Sequence, residues 1–259
     1  MTARRLAVPL LTAGGRLLAD RGAVIGDLGF YLIVTVVLSA LWRAAAGPGG
    51  EIVGYSAGAL TWYAATSEAA ICAISIRLIA EVGDDISSGD VVTEMLRPLP
   101  VIAVRLSVQA GRSLVRLSIL VVAGAGLCWI TVGPPPSGTG ALLALPSLVL
   151  AVAANLVLQH TVAAVAFWLR DTRAPWFVYQ KLVFVLGGML LPLQVLPDAL
   201  QPVALALPFM TMAYAPARLA SGSVEPWLLL VQLAWLVVLV PVVVATFRLG
   251  ENRVQVVGG

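Results

Sequence analysis

Polar side chains inside apolar runs are the first candidates for chemistry in this sequence. Glu68 lies within one long apolar stretch, and three further polar residues lie within another. An ionisable side chain at mid-bilayer depth costs about 2.5 to 3.5 kcal/mol on insertion scales, so it is a functional candidate by default. Glu68 is therefore predicted to contact a bound molecule or to line a hydrated path. The alternative is a structural glutamate, protonated or hydrogen-bonded, that steadies a helix contact near Thr66 or Ser67.

The second group of polar residues contains two amides and the single histidine. Asn155 and Gln159 are four residues apart and share one face of a helix, where hydrogen bonds between helices worth about 1 kcal/mol are more typical than ligand contacts. His160 lies about 100° further round that helix and has no neighbouring ligands with which to hold a metal. We predict no metal site. A neutral, hydrogen-bonded histidine is favoured, and all four polar residues remain candidates for a pathway through the membrane.

The sequence lacks the usual means of binding a nucleotide. A phosphate-binding loop of the form G-x-x-x-x-G-K-[ST] needs a lysine after glycine, and the single lysine, Lys181, stands in Tyr-Gln-Lys-Leu within an apolar run. The chain is therefore predicted to bind no ATP or other cofactor and not to be an enzyme. Cys72 and Cys128 also lie in apolar runs without metal or redox spacing, and they are interpreted as small buried hydrophobic residues.

Residues 81–100, EVGDDISSGDVVTEMLRPLP, form the main polar interruption of the chain. They hold five of its thirteen acidic residues: Glu81, Asp84, Asp85, Asp90 and Glu94. Asp90 is predicted to cap a short helix that extends to Leu96, because its carboxylate can accept hydrogen bonds from free backbone N–H groups. Pro98 and Pro100 would end that helix. We predict a small helix that protrudes between two membrane spans towards another protein; the alternative is an ordinary solvated loop.

The elements that must position these residues are predicted to be membrane helices. With 60% hydrophobic residues, 11% charged residues and a mean hydropathy of +0.97, the chain falls outside the range of soluble domains. At about 20 residues per span, 259 residues allow about six crossings and only short loops, so residues 1–259 form one all-α membrane domain. The predicted spans are 24–42, 52–79, 113–132, 141–169, 177–191 and 226–247.

Two further segments have their own pattern. Residues 1–21 mix arginine with leucine and suit a helix in the headgroup region, with Pro9 dividing it into two pieces. Prolines recur between 192 and 216, so no uninterrupted span fits there and two half-helices that re-enter the outer leaflet are expected. These are Pro192, Pro197, Pro202, Pro208 and Pro216.

The basic residues predict the orientation of the chain. Arg105, Gln109, Arg112 and Arg116 share one helical face, and we favour contact with anionic headgroups over pairing with Asp84 and Asp85. With six spans and both ends inside, fourteen basic residues are cytoplasmic and two are external. A seventh crossing at 198–218 changes this ratio of cytoplasmic to external basic residues only from 14:2 to 13:3. The cytoplasmic set is Arg4, Arg5, Arg16, Arg21, Arg77, Arg97, Arg105, Arg112, Arg116, Arg170, Arg173, Lys181, Arg248 and Arg253, and the external pair is Arg43 and Arg218.

Three features of the chain together resemble the type-two permease family. They are an amphipathic N-terminus, a short helix between spans two and three, and a proline-broken hairpin between spans five and six. These proteins are the transmembrane subunits of ABC exporters with the type V fold. The similarity is carried by ISSGDVVTEMLRPLP at 86–100, by GGMLLPLQVLPDALQPVALALPF at 187–209 and by PARLASG at 216–222. It extends over nearly the whole chain and is nearest to the six-span bacterial branch linked to drug, viologen and antibiotic export.

The resemblance implies a role for each segment. Residues 86–96 would form or flank the coupling helix that docks on an ATPase subunit, residues 1–21 the elbow helix, and residues 193–219 the external gate with Pro192, Pro197, Pro202 and Pro208. The apolar side chains would enter a groove of the ATPase, and the acidic ones would meet its basic rim. The coupling residues are Asp84, Asp85, Ile86, Asp90, Val91, Val92, Glu94, Met95 and Leu96.

The resemblance also implies partners and an activity. Two ATPase subunits would bind ATP and Mg²⁺, a second identical or paralogous permease would complete the pathway in the bacterial plasma membrane, and no nucleic acid would take part. The cargo would be hydrophobic or amphipathic: a drug, antibiotic, lipid or peptide. One alternative is an ion-coupled carrier in which Glu68 and His160 relay protons, although the sequence has no evident inverted repeat. Another is a membrane scaffold or immunity protein that transports nothing.

Overall fold

The computed structural model describes residues 2–47, 50–96, 98–169 and 172–257. Pro48, Gly49 and the charged positions Arg97, Arg170 and Asp171 lie outside these described residues. Within them, the chain consists mostly of helices joined by short irregular segments, with one two-stranded hairpin. This arrangement agrees with the prediction of an all-α membrane protein.

The first helix, α1 (Thr2–Ala19), is continuous through Pro9, so the expected division at that proline is wrong. The hydroxyl of Thr12 donates to the carbonyl oxygens of Val8 and Pro9 in the same turn. Helix α1 lies against helix α6 (Val101–Val132), and a Cβ on Gly111 would stand only 2.0 Å from the Leu10 carbonyl oxygen. Glycine at this crossing therefore allows the two backbones to approach closely.

Within the described residues, four helices are long and apolar enough to cross a bilayer: Arg21–Ala46, Val101–Val132, Gly138–Leu169 and Trp227–Arg253. The first is helix α2 (Arg21–Ala46), and the third consists of α7 (Gly138–Ala163) and α8 (Ala166–Leu169). The last lies within α12 (Trp227–Val257). At about 1.5 Å per residue, α6 is about 48 Å long and exceeds a hydrocarbon core of about 30 Å.

The expected second span at 52–79 is interrupted. Strands β1 (Glu51–Ile52) and β2 (Tyr55–Ser56) pair, and then α3 (Ala57–Cys72) begins with the Ser56 hydroxyl accepting from the Ala59 N–H. The helix ends at Cys72, and α4 (Leu78–Ser88) starts only after residues 73–77. Ser75 contributes to the break because its hydroxyl accepts from the Arg77 N–H and competes with helical hydrogen bonding.

The helix found in place of the expected fifth span at 177–191 is shorter than that span and begins earlier. Helix α9 covers Arg173–Leu186 and ends at Gly187 and Gly188. Gly188 has a φ of +69°, a conformation that favours glycine, and its carbonyl accepts the hydroxyl of Tyr63 at 2.5 Å. The carbonyl of Gly187 accepts the N–H of Tyr214, so this turn is bonded to the segment that follows.

The proline-rich segment contains two short α-helices, each preceded by a 3-10 turn. The turn Leu193–Val195 precedes α10 (Gln201–Ala206), and the turn Pro208–Thr211 precedes α11 (Tyr214–Ala220). Pro192, Pro202 and Pro208 each lie at or next to the start of one of these pieces, and Pro197 lies two residues after the turn Leu193–Val195. Between 187 and 226, no helix is longer than the seven residues of α11.

The interior is formed mainly by α3, α7 and α11. Twelve of the sixteen residues of α3 are buried, and α11 packs against both α3 and α7. By contrast, α2, α6 and α12 turn large apolar side chains outward, as expected for surfaces that face lipid. Examples are Phe30, Ile33, Ile130, Leu230 and Val237.

Candidate functional site

A cavity of about 620 Å³ lies among α2, α3, α6, α7 and α9. Most of its wall is apolar, and residues 74–77 of the break before α4 form part of its lining. Three of the four polar residues singled out in the sequence line this cavity: Glu68, Asn155 and Gln159. The volume is typical of pockets that hold a drug-sized molecule.

Glu68 is 2% exposed, and only one of its carboxyl oxygens has a hydrogen bond. Oε1 accepts from Sγ of Cys72 at 3.2 Å, one turn further along α3. Oε2 has no partner within the described part of the chain. Ser67 is not a partner of Glu68, contrary to the structural alternative, because its hydroxyl donates to the carbonyl oxygens of Ala64 and Met189.

The two amides form a small network with a tyrosine that the sequence did not reveal. Gln159 Nε2 donates to Asn155 Oδ1 at 2.9 Å, and the hydroxyl of Tyr179 donates to the same oxygen. This contact joins α7 to α9, as the hydrogen-bonding interpretation of the amides predicted. Tyr179 stands in an apolar run, where a buried phenol needs a partner, and that requirement is the signal that could have indicated it.

His160 does not belong to the cavity wall. Its Nδ1 is 2.8 Å from the carbonyl oxygen of Leu156, and its Nε2 is buried without a partner among the described residues. No group of three or more possible metal ligands occurs in the described ranges. The structure therefore does not bring His160 to the cavity surface that Glu68 lines.

An ion pair that the sequence analysis missed also lines the cavity. Arg116 Nε of α6 lies 2.7 Å from Asp27 Oδ2 of α2, although the geometry is not that of a hydrogen bond. The two residues are 89 positions apart, so no local spacing could have indicated the pair. The expectation that Arg116 contacts headgroups is wrong, because a carboxylate of the same chain neutralises it.

The acidic interruption folds as a hairpin of two helices, residues 78–96, which we call the α4–α5 hairpin. Gly89, with a φ of +86°, ends α4, and α5 covers Val91–Met95. The predicted capping by Asp90 is wrong: this residue has helical φ and ψ, and its Oδ2 accepts from the Ser88 hydroxyl at 3.0 Å. The carboxylate therefore bonds backwards along the chain instead of to the first N–H groups of α5.

The apolar residues of the hairpin divide between two surfaces. Val91 is fully buried, Ile86 belongs to the same core, and Met95 packs against that core. This placement differs from the expectation that Val91 and Met95 insert into a partner. Val92 is 44% exposed and Leu96 is 85% exposed, so these two residues are the apolar side chains that the hairpin presents outward.

Arg105 fixes the hairpin to α6. Its Nε donates to Glu94 Oε2 at 2.7 Å, and its Nη2 lies 3.0 Å from Asp85 Oδ2. Its side chain is 10% exposed, so the headgroup contact predicted for it is wrong. We call Arg105 together with Glu94 and Asp85 the Arg105 clamp. Asp84 and Asp90 remain exposed, as does Arg112 on α6.

A second polar group joins β2 to the proline-rich segment. Arg218 Nη1 donates to the hydroxyl of Tyr55 at 2.6 Å, and its Nη2 lies 3.0 Å from Glu225 Oε1. Gln194 Nε2 donates to the hydroxyl of Tyr214 at 2.5 Å. Burial raises the pKa of Tyr55 more than the adjacent Arg218 guanidinium lowers it, so the phenol stays protonated. We call these five residues the Arg218 cluster.

Comparison with known proteins gives one family match. A family model described as ABC-2 family transporter protein matches residues 23–258. The match includes the cavity residues, the α4–α5 hairpin and the proline-rich segment. No curated protein matches the chain.

Proposed function

Because the chain belongs to the ABC-2 family of transporter proteins, we propose that it is the permease subunit of an ATP-driven exporter. Membership of this family implies association with ATP-binding-cassette ATPase subunits. In our proposal two such subunits bind ATP and Mg²⁺, and a second permease, identical or paralogous, completes the pathway. The cargo is a hydrophobic or amphipathic molecule such as a drug, antibiotic, lipid or peptide.

The proposed topology has six crossings in the bacterial plasma membrane, with both termini cytoplasmic. The four long helices supply four crossings, α3 with residues 73–77 supplies the second, and α9 with the following turn supplies the fifth. Helix α1 is the elbow helix against α6. The pieces between Leu193 and Ala220 re-enter the outer leaflet and form the gate, with their broken backbone shielded by α3, α7 and α12.

The observation that carries this proposal is the α4–α5 hairpin. It presents Val92 and Leu96 next to exposed carboxylates, while Val91 and the Arg105 clamp fix it to the body of the chain. A docking element needs both properties: an apolar anchor for a partner groove and a rigid connection that transmits movement. Exposed carboxylates at the rim favour encounter with a basic partner surface.

The proposal predicts that the double variant Val92→Ala/Leu96→Ala loses the ATPase. Truncating an anchor at the centre of an interface costs about 2 kcal/mol or more where it is a hot spot, so the affinity for the ATPase should fall by about 30-fold or more, and its recovery on mild-detergent purification should fall with it. Ile130→Ala is the matched control, because Ile130 is 86% exposed at the other end of α6. Unchanged recovery and unchanged export in the double variant would contradict the proposal.

The ion-coupled carrier is not favoured. It requires Glu68 and His160 to share a proton path, and His160 is not part of the cavity wall that Glu68 lines.

A further inference from the structure

The cavity has an apolar wall and, in Glu68, one buried carboxyl group with an oxygen that has neither a hydrogen bond nor an ion pair in the described part of the chain. Phe30, Ile71, Val183 and Phe184 supply apolar surface from three helices. Against this surface, Glu68 Oε2 has no partner in the described part of the chain, although the side chain is 2% exposed. A buried polar atom left unpaired costs about 1 to 3 kcal/mol, and more for a charged group.

The positively charged groups of the cavity, unlike Glu68, already have a partner or contact solvent. Arg116 is already neutralised by Asp27 at 2.7 Å, and Arg77 is exposed in the break before α4. The buried, unpaired group is thus a carboxyl oxygen, which can accept a hydrogen bond, whereas the positive groups of the cavity are either paired or in contact with solvent. A ligand that donates hydrogen bonds would complete this arrangement.

We propose that this cavity binds an amphipathic amine in its ammonium form, with the apolar body against the aromatic wall and an N–H donating to Glu68 Oε2. The inference rests on the proposed function, of which it specifies the cargo. An N–H donated from a charged group to a carboxylate is among the strongest hydrogen bonds in proteins, and it supplies the partner that Oε2 lacks. A ligand of the same shape that carries a hydroxyl can donate a hydrogen bond to Glu68 but brings no positive charge. A ligand that carries a carboxylate would be repelled by the Glu68 carboxylate.

Three pyrene probes of similar size test this proposal: 1-pyrenemethylammonium, 1-pyrenemethanol and 1-pyrenecarboxylate. Trp176 lines the cavity, so binding to the intact complex in phosphatidylcholine nanodiscs can be followed by energy transfer from tryptophan to pyrene. We expect the ammonium to bind about tenfold more tightly than the alcohol, which corresponds to ~1.4 kcal/mol, and the carboxylate to bind least. Equal affinities, or tightest binding of the carboxylate, would overturn the proposal without any variant.

Variants then assign the preference to Glu68. In Glu68→Gln the ratio of ammonium to alcohol affinity should fall to about one, because the amide keeps the shape but not the charge. Glu51→Gln, a change at an exposed strand residue, should keep the wild-type ratio. An unchanged ratio in Glu68→Gln would overturn the assignment. If Glu68→Gln binds no probe, Glu68→Asp decides: it should retain the preference, and a ratio near one would overturn the assignment.

The ammonium group could belong to a free amine or to an aminolipid headgroup. Repeating the titration in nanodiscs that contain phosphatidylethanolamine distinguishes them: weaker probe binding assigns the lipid, and unchanged binding assigns the free amine. Both outcomes support an ammonium site. ATPase recovery remains a separate measurement, so loss of the ammonium preference in a complex that still holds its ATPase would refute this inference alone.

Discussion

Removing the Arg105 guanidinium should loosen α5 by an amount that follows from its contacts. A helix of five residues has no stability alone, so the order of α5 depends on tertiary contacts. The contacts are the fully buried Val91, Met95 packed against the core, and the Arg105 clamp, in which Nε is 2.7 Å from Glu94 Oε2 and Nη2 is 3.0 Å from Asp85 Oδ2. Replacement of Arg105 by glutamine removes the charge from both pairs and leaves Val91 in place.

The effect of Arg105→Gln on the free energy of opening of α5 depends on how exposed the carboxylates of Glu94 and Asp85 are. A hydrogen bond to a charged group contributes about 1.5 to 3 kcal/mol, and Glu94, 30% exposed, falls at the lower end of that range. Asp85 is 47% exposed, so solvent screening limits its pair to less than about 1 kcal/mol. We therefore expect Arg105→Gln to lower the free energy of opening of α5 by about 2 kcal/mol, which is about a 30-fold change.

Amide hydrogen exchange measures this local opening without unfolding the whole chain. In Arg105→Gln, the amides of α5 should exchange about 30-fold faster, whereas those of α3 should be unaffected. Arg112→Gln is the control, because Arg112 is on the same helix and is exposed. Unchanged exchange in α5 would refute the reasoning, since the apolar contacts of Val91 and Met95 would then hold the helix without the clamp.

Two further predictions concern close packing and the Arg218 cluster. Gly111→Ala should destabilise the protein by about 1 to 3 kcal/mol in thermal unfolding, because the added Cβ would meet the Leu10 carbonyl, whereas Gly15→Ala should not, because nothing lies within 4 Å of its Cβ. A similar unfolding temperature for the two variants would contradict the close α1–α6 contact. Arg218→Gln should increase amide exchange in α11, because it removes the pair with Glu225 and the bond to Tyr55; unchanged exchange would show that the cluster does not hold the segment.

Features that depend on local pattern were predictable from the sequence. Hydropathy indicated long apolar helices, and the proline spacing between 192 and 216 indicated short helical pieces, because proline lacks the N–H that a helix interior needs. The short helix after Gly89 was also predictable, since the acidic, glycine-containing stretch interrupts the apolar runs. The expected hydrogen bond between helices is made by Asn155, whose Oδ1 accepts from the Tyr179 hydroxyl of α9.

Features that depend on tertiary packing were not predictable. Arg105 and Arg116 share a helical face, and their spacing alone could not show that each meets a carboxylate from a different helix. The side of α5 that faces the core was equally hidden, because a five-residue segment has no periodicity long enough to distinguish Val91 from Val92. The break after Cys72 was missed because residues 73–77 are mostly apolar and contain neither proline nor glycine.

The break at 73–77 also connects the hairpin with the cavity. Residues 74–77 line the cavity and lead directly into α4, so a displacement of α4 changes the cavity wall. A second connection is made by Gly83, where a Cβ would stand 2.5 Å from Cγ2 of Thr172, the residue before α9. Helix α9 in turn carries Trp176 and Tyr179 into the lining. No larger side chain fits at Gly83 without a shift, so α4 and the start of α9 are in close contact. Under the proposed function, force applied at α5 would reach both walls of the cavity through these two connections.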